Sequence, residues 1–140
     1  MDLSFRSCDQ QGVTENIMTK VFTDVTLFMK AVDHSVNKNN HEQAELYKRL
    51  IDEEYAEFLE AFEAKDEVEQ IDACFDMIWV IVGYMQSKGW DCENIWDEGS
   101  QSNLSKIDMN TGKVIKREDG KVMKPEGWMP PDFSKFTTKF

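Results

Sequence analysis

Apolar residues recur at three- and four-residue intervals along most of the first two thirds of the chain. This spacing places them on one face of a helix. It predicts four helices, at about 14–36, 41–64, 66–87 and 91–104. The polar run 37–40 separates the first two helices. Asp66 is placed to cap the third helix, and Gly89 lies near its end. The pattern therefore predicts an all-α fold, a four-helix bundle.

The pattern changes after residue 104, where proline and glycine concentrate. Short alternating segments at 113–116 and 121–124 flank the sequence Asp119-Gly120, which predicts a small β-hairpin. The first twelve residues show little pattern. We expect one domain over 1–140, with an irregular arm (1–12), a helical body (13–104) and a basic loop-and-hairpin segment (105–140), here called the basic flap.

Six carboxylates on the second and third predicted helices carry the clearest chemical signal. On an ideal helix each set of three falls within about 100° of one face. Their neighbours are strongly apolar, and desolvating unpaired anions is costly. An all-oxygen ligand set suits Mg²⁺ or Mn²⁺ rather than zinc or copper. The six are Glu53, Glu54, Glu57, Glu69, Asp72 and Asp76.

The alternative interpretation of these acids is a solvated helix surface, which is the commoner origin of acidic runs. Two features favour a metal site instead. Basic partners at i,i+4 are scarce on both helices. In addition, Asp76 lies within the apolar run 73–82, where an exposed face is hard to find.

The charge is distributed unevenly. A net charge of −11 argues against binding to a nucleic-acid backbone. Residues 106–124 nevertheless contain five lysines and one arginine against three acids. A basic segment combined with a metal-binding acid cluster suits a polyphosphate, because cations and lysines share the neutralisation of its oxygens. The alternative is a solvated basic tail that only balances charge.

Cellular location and assembly follow from simpler features. Three cysteines lack any C-x-x-C pairing, and no stretch approaches 18 apolar residues. We expect a soluble cytoplasmic protein without membrane or nucleic-acid partners. Apolar residues cover more than one face of the predicted helices, so we also expect a homodimer or homotetramer.

The acidic motifs resemble those of a known superfamily. Glu53-Glu54-x-x-Glu57, followed by a second acidic helix, is similar to the signature of MazG-like all-α nucleoside triphosphate pyrophosphohydrolases. The C-terminal pattern, from Asn103 through Lys106 to Arg117-x-Asp119-Gly120-Lys121-x-x-Lys124-Pro125-x-Gly127-Trp128, is similar to a small stand-alone branch related to MazG-like dUTPases. The resemblance covers about residues 20–132.

This resemblance implies Mg²⁺- or Mn²⁺-dependent hydrolysis of a (d)NTP, such as dGTP or dUTP, to the monophosphate and pyrophosphate. Glu53, Glu54 and Glu57 carry over as metal ligands, with Glu53 or Glu54 as the general base. The second motif fits in two registers. Glu69-Gln70-Ile71-Asp72 matches the family's E-x-x-D literally. Alignment through Trp79 and Gly83 instead selects Asp76, with Asp72 one turn earlier, and leaves Glu69 as a weaker candidate.

The resemblance also implies substrate-binding residues. Phosphate or sugar contacts fall on Asn103, Lys106, Arg117, Lys121 and Lys124. Trp128, Trp79 and Phe28 are candidates for stacking on the base, with core packing as the alternative for the last two. The rival to an enzyme is an acidic helical interaction protein that imitates nucleic acid. Stabilisation by Mg²⁺ or Mn²⁺ would favour the enzyme.

Overall fold

The computed structural model describes residues 10–138, with side chains described from Lys20 onward. The chain is all-α, as predicted. Its helices are α1 (Gln10–Ala31), α2 (His41–Glu63), α3 (Glu67–Ser87) and α4 (Cys92–Leu104). Two short strands and one 3₁₀ turn follow. The chain forms two compact units that divide between Cys92 and Glu93. No helix in the described part of the chain is both long enough and apolar enough to span a bilayer.

The first helix differs from its prediction at both ends. It already includes residues 10–12, which were expected to be irregular; the rest of that arm lies outside the described residues. At the other end it stops at Ala31 instead of continuing to residue 36. Asp33 adopts a left-handed conformation (φ 62°), and the His34 amide donates to the Met29 carbonyl at 2.8 Å. This closure satisfies the last carbonyls of the helix without a glycine.

Side-chain caps define the starts of α2 and α3. Asn40 accepts a hydrogen bond from the Gln43 amide, and Asp66 accepts one from the Glu69 amide, so each satisfies a free donor of its helix. Between the two helices, Lys65 takes the left-handed conformation (φ 56°). The Asp66 amide then reaches the Ala61 carbonyl at 3.0 Å. This tight turn makes α2 and α3 an antiparallel pair.

The core of the first unit lies between α1, α2 and α3. Val25 and Met29 of α1 pack with Tyr47 of α2 and with Val80 and Val82 of α3. Tyr47 lies directly against Gly83, where an added Cβ would overlap the tyrosine ring. The close approach of the two helix backbones at this point therefore depends on glycine.

A buried polar cluster fixes the far end of the α2–α3 pair. The Gln43 side-chain amide donates to the Ser87 hydroxyl at 2.8 Å and to the Ser35 carbonyl at 2.7 Å. The Ser35 backbone amide donates back to the side-chain Oε1 atom of Gln43 at 2.8 Å. Because these bonds join the α1–α2 loop to both helices, they fix how far α2 can slide along α3.

The second unit contains α4 and a small hairpin. Strand β1 (Ile107–Asp108) pairs antiparallel with β2 (Lys113–Val114). A hairpin was predicted, but later in the chain. The predicted pairing of 113–116 with 121–124 appears only as a single bridge between Lys116 and Val122. The observed hairpin is set by Asp108, whose side chain accepts from the Asn110 amide and whose carbonyl accepts from the Gly112 amide.

Candidate functional site

Glu54 occupies a core-facing position on α2. Gln43, Tyr47, Glu54 and Ala61 follow one another along α2 at steps of four, seven and seven residues, which keeps Glu54 on the same helix face as the three buried residues. Its Oε2 atom is buried and has no hydrogen-bond partner. A buried carboxylate oxygen without a partner is unfavourable, and each such atom in a folded protein calls for an explanation.

Asp76 occupies the matching position on α3. Gly83 packs against Tyr47, and Ser87 bonds to Gln43. Counting seven residues forward from Tyr47 gives Glu54, and seven back from Gly83 gives Asp76. In an antiparallel helix pair, moving the same number of residues forward on one helix and backward on the other leads from one contact to another. The register therefore sets Glu54 opposite Asp76 and favours the sequence alignment that selected Asp76.

The electrostatics of Glu54 agree with this placement. Burial, the largest cause, and the neighbouring charges of Asp76, Glu57 and Asp72 together raise the pKa of Glu54 from 4.5 to about 6. Burial also raises the pKa of Asp76, helped by the neighbouring Asp72. Like charges in a partly desolvated setting oppose each other's ionisation. Four of the six predicted acids thus form one interacting cluster.

This cluster is not arranged as a finished coordination sphere. Among the described side chains, residues 20–138, no three acids, histidines or cysteines are grouped so that they could hold a metal ion as they stand. The chemistry of the cluster nevertheless fits a hard divalent cation. It offers carboxylate oxygens only, one of them buried and unpartnered, from two helices that face each other.

The other two predicted acids lie apart from the pair. Glu53 is exposed, and it is absent from the charges that act on Glu54 within the described structure. One residue of offset turns its side chain about 100° from that of Glu54. Glu69 is also exposed and lines a shallow cleft of about 410 Å³ with Glu57, Glu60 and Asp66. Glu57 is therefore common to the cluster and the cleft.

Aromatic rings lie next to the acids on α3. The Trp79 ring meets Phe28 of α1 edge to face, with centroids 5.6 Å apart, and meets Phe75 at 5.8 Å. Phe28 is 51% exposed and Phe75 is 58% exposed. Within a single chain, Phe28 is therefore not a core residue. The sequence interpretation missed Phe75, although its position directly before Asp76 was a usable signal.

The predicted phosphate-binding residues of the second unit fall into two groups. Lys106 and Lys124 both place their ammonium groups over the Trp128 ring. The Asn103 side-chain oxygen accepts a hydrogen bond from Lys106 at 3.0 Å. Arg117 instead forms an ion pair with Asp119 at 2.7 Å, and the Lys121 amide bonds to the same aspartate.

The family model of phosphoribosyl-ATP pyrophosphohydrolase matches residues 25–103, more than half of the chain. The chain therefore belongs to this family, a member of the all-α MazG-like NTP pyrophosphohydrolase superfamily. A search of curated proteins finds no match. The matched segment contains all six acids. Family membership indicates pyrophosphohydrolase activity on a nucleotide-like substrate, in a class of enzymes that typically uses divalent metals.

Proposed function

We propose that this protein hydrolyses a nucleoside triphosphate, of the deoxynucleotide type such as dGTP or dUTP, to the monophosphate and pyrophosphate. The observation that carries the proposal is the pairing of Glu54 and Asp76 across α2 and α3. Both are core-facing acids with a raised pKa, and one Glu54 oxygen is buried without a partner. Such an arrangement costs stability and is typical of a functional site.

Mg²⁺ or Mn²⁺ is the cofactor that this ligand set suits best. Glu54, Glu57, Asp72 and Asp76 would hold the ion, because these four acids already act on one another. A bound divalent cation would supply neutralisation of phosphate charge and polarisation of the phosphoryl group. Glu53 and Glu69 would at most serve as outer ligands.

A carboxylate of this site would also act as the general base of the reaction. Water attacks phosphorus, the α–β phosphoanhydride bond breaks, and pyrophosphate leaves with the bonding electrons. Glu54 or Glu53 would accept the proton of the attacking water. Glu53 is exposed and adjacent in sequence, so it can take this role when Glu54 acts as a ligand.

Recognition of the base would fall to the aromatic cluster of Phe28, Phe75 and Trp79. Trp79 lies one helical turn after Asp76, so its ring neighbours the acids on α3. Half-exposed rings offer a flat apolar surface that any base can stack on. Stacking alone discriminates poorly between bases, so other side chains would have to select the base.

The test is hydrolysis of a panel of substrates by the full-length protein. The panel contains the four dNTPs, the four NTPs, dUTP and phosphoribosyl-ATP, the compound after which the family is named. Products are separated as monophosphate plus pyrophosphate or as diphosphate plus phosphate. We expect the first pair from at least one deoxynucleotide, and no turnover in EDTA.

Three results would contradict this proposal. Release of inorganic phosphate as the first product would exclude attack at the α–β bond. Turnover of phosphoribosyl-ATP alone would retain the reaction but reject the deoxynucleotide substrate. No turnover of any compound with either Mg²⁺ or Mn²⁺ would favour the acidic interaction protein.

A further inference from the structure

Buried polar side chains join α2 to α3 at the ends farthest from the turn between them. Gln43 is 8% exposed and Ser87 is 0% exposed. The Ser87 hydroxyl accepts a hydrogen bond from the Gln43 side-chain amide at 2.8 Å and donates one to the Gly83 carbonyl at 2.7 Å. The remaining bonds of the Gln43 side chain go to the Ser35 backbone. We call Ser35, Gln43 and Ser87 the polar clamp.

Main-chain contacts hold the same two helix ends together. The Asn40 amide donates to the Ser87 carbonyl at 2.7 Å, and Asn39 forms a β-bridge with Lys88. Gly89 lies so close to this loop that an added Cβ would be 3.0 Å from the Asn39 backbone nitrogen. The first turn of α2 is therefore fixed against the last turn of α3 by both side chains and main chain.

The acid pair lies about midway between the polar clamp and the tight turn. Glu54 is eleven residues after Gln43, and Asp76 is eleven residues before Ser87. Eleven residues make about three helical turns, or roughly 16 Å, so each acid shares a helix face with its clamp residue. In the other direction, each acid is nine residues from the end of its helix at the turn. The contacts at both ends of the helix pair thus set its spacing at the acids.

Hydrogen bonds fix this spacing more narrowly than apolar packing does. They weaken steeply outside a narrow range of distance and angle, whereas apolar burial has no preferred direction. A helix pair closed only by its turn could open at its other end, and part of that opening would reach the acids. Binding sites must be held within about 0.5 Å of their working geometry. A small opening at the clamp would therefore disturb Glu54 and Asp76.

We propose that Gln43 and Ser87 are positioning residues, which hold α2 and α3 at the separation that Glu54 and Asp76 need to bind one cation. This rests on the proposed function in treating the two acids as the cation site. The clamp residues act through the acids, eleven residues away, and not by contact with the substrate. A contribution to stability alone is the competing explanation, so the test separates spacing from stability.

The first measurement is thermal unfolding of the full-length protein in EDTA at pH 7.5. Asp76→Asn should raise the melting temperature, because it relieves repulsion between two partly desolvated carboxylates. Ser87→Ala removes the clamp hydroxyl without adding volume. The acids can then move apart, so the gain from Asp76→Asn should fall by at least about half in the Ser87→Ala protein.

Thr26→Val is the matched control. The Thr26 hydroxyl accepts a hydrogen bond from the Gln86 side chain at 2.9 Å, next to Ser87 in sequence, but this bond joins α1 to α3. The gain from Asp76→Asn should remain at its wild-type value in Thr26→Val. An equal gain in wild type and in Ser87→Ala would overturn the positioning role. The absence of any gain in wild type would also overturn it, since the acids would then not repel each other.

The second measurement is Mn²⁺ affinity, determined by isothermal titration calorimetry without EDTA. Ser87→Ala should weaken binding at least about threefold, and Thr26→Val less than about twofold although it loses a comparable hydrogen bond. In Asp76→Asn, where the pair is already broken, Ser87→Ala should have no further effect. Equal weakening by Ser87→Ala and Thr26→Val would show that the clamp only stabilises the fold.

Gln43→Met is the second variant if Ser87→Ala does not fold, as seen by circular dichroism. It keeps the length of the side chain but removes the amide. It should lower both the gain from Asp76→Asn and the Mn²⁺ affinity, as expected for Ser87→Ala. Unaltered values of both in a folded Gln43→Met protein would overturn the positioning role.

The positioning role and the proposed function can fail separately. A reduced gain from Asp76→Asn in Ser87→Ala, without Mn²⁺ binding or hydrolysis by wild type, would keep the control of helix spacing and reject the cation site. Mn²⁺ binding and hydrolysis that are the same in wild type and Ser87→Ala would keep the proposed function and reject the clamp as its positioning device.

Discussion

Glu54 on α2 and Asp76 on α3 interact across a packed helix interface, where burial and then the charge of Asp76 raise the pKa of Glu54. Both lie on core-facing positions that leucine or alanine would fill in an ordinary helix pair. Burial of charge at such positions is destabilising unless a cation compensates it. This relationship links the fold to the proposed chemistry.

The raised pKa of Glu54 predicts a specific dependence of stability on pH in the metal-free protein. Since its pKa of about 6 lies above the ordinary 4.5, the folded protein binds this proton more tightly than the unfolded chain does. The contribution of Glu54 to the free energy of unfolding therefore falls between pH 4.5 and about 6 and stays low above that range. Glu54→Gln has no carboxyl group to ionise at this position, so this fall in the free energy of unfolding should be absent from the variant.

Thermal unfolding in EDTA measures this effect. Relative to wild type, Glu54→Gln should gain more in melting temperature at pH 7.5 than at pH 4.5. An identical difference at both pH values would mean that Glu54 is not desolvated in the folded protein.

Gly83→Ala is predicted to destabilise the first unit. An added Cβ would overlap the Tyr47 ring, which is buried and bonded through its hydroxyl to His34 at 3.0 Å. Tyr47 cannot move easily, so we expect a loss of about 1–3 kcal/mol from overpacking. Because α2 and α3 would be pushed apart, hydrolysis should also fall.

The control for that variant is Gly99→Ala in α4. There the added Cβ meets only the Phe133 ring, with two ring atoms at 3.4 and 3.8 Å, and alanine favours a helix over glycine. Chemical denaturation should show a neutral or stabilising effect at Gly99. Equal destabilisation at both glycines would refute the close approach of α2 and α3.

Lys65→Gly is predicted to stabilise the protein. Lys65 has a φ of 56° in the tight turn between α2 and α3, a conformation that costs a non-glycine residue energy. Glycine relieves this cost but makes the unfolded chain more flexible, so the net gain should be modest, about 0.5 kcal/mol. A clear loss of stability on denaturation would show that the lysine side chain has its own stabilising contacts.

Self-association is predicted from an exposed row of apolar residues on α3. Val68, Ile71, Phe75 and Ile78 follow one another at intervals of three and four, and each is more than half exposed. Such a row on one helix face normally marks an interface. Light scattering should show a dimer or tetramer that becomes smaller in Ile71→Lys and Ile78→Lys.

Met109→Lys is the matched control for self-association. Met109 is 93% exposed, and it lies outside the row. Its substitution should leave the assembly unchanged. A monomeric wild-type protein, or equal dissociation in all three variants, would contradict the prediction.

The sequence predicted α2 and α3 closely because their periodicity agrees with the polar run 37–40 before α2 and with the Asp66 cap of α3. It missed the end of α1, since Val32 and Val36 continue a helical spacing that Asp33 interrupts without a glycine. Pairing in the hairpin depends on Asp108 side-chain bonds, which alternation does not reveal. Within the site, Glu54 and Asp76 were predictable from acids in apolar runs. The isolation of Glu53, the Arg117–Asp119 pair and the ring contacts of Trp128 depend on side-chain direction, which spacing alone does not determine.

Binding of Mn²⁺ tests the central claim most directly, and titration calorimetry on wild type, Glu54→Gln, Asp76→Asn and Glu63→Gln measures it. Glu63 is an exposed acid near the end of α2 and serves as the control for loss of one negative charge. We predict saturable binding to wild type and to Glu63→Gln. The two site variants should bind Mn²⁺ at least about tenfold more weakly while keeping their helical circular dichroism spectra, since each loses an anionic ligand. Equal affinities in all four proteins would contradict a metal site between Glu54 and Asp76.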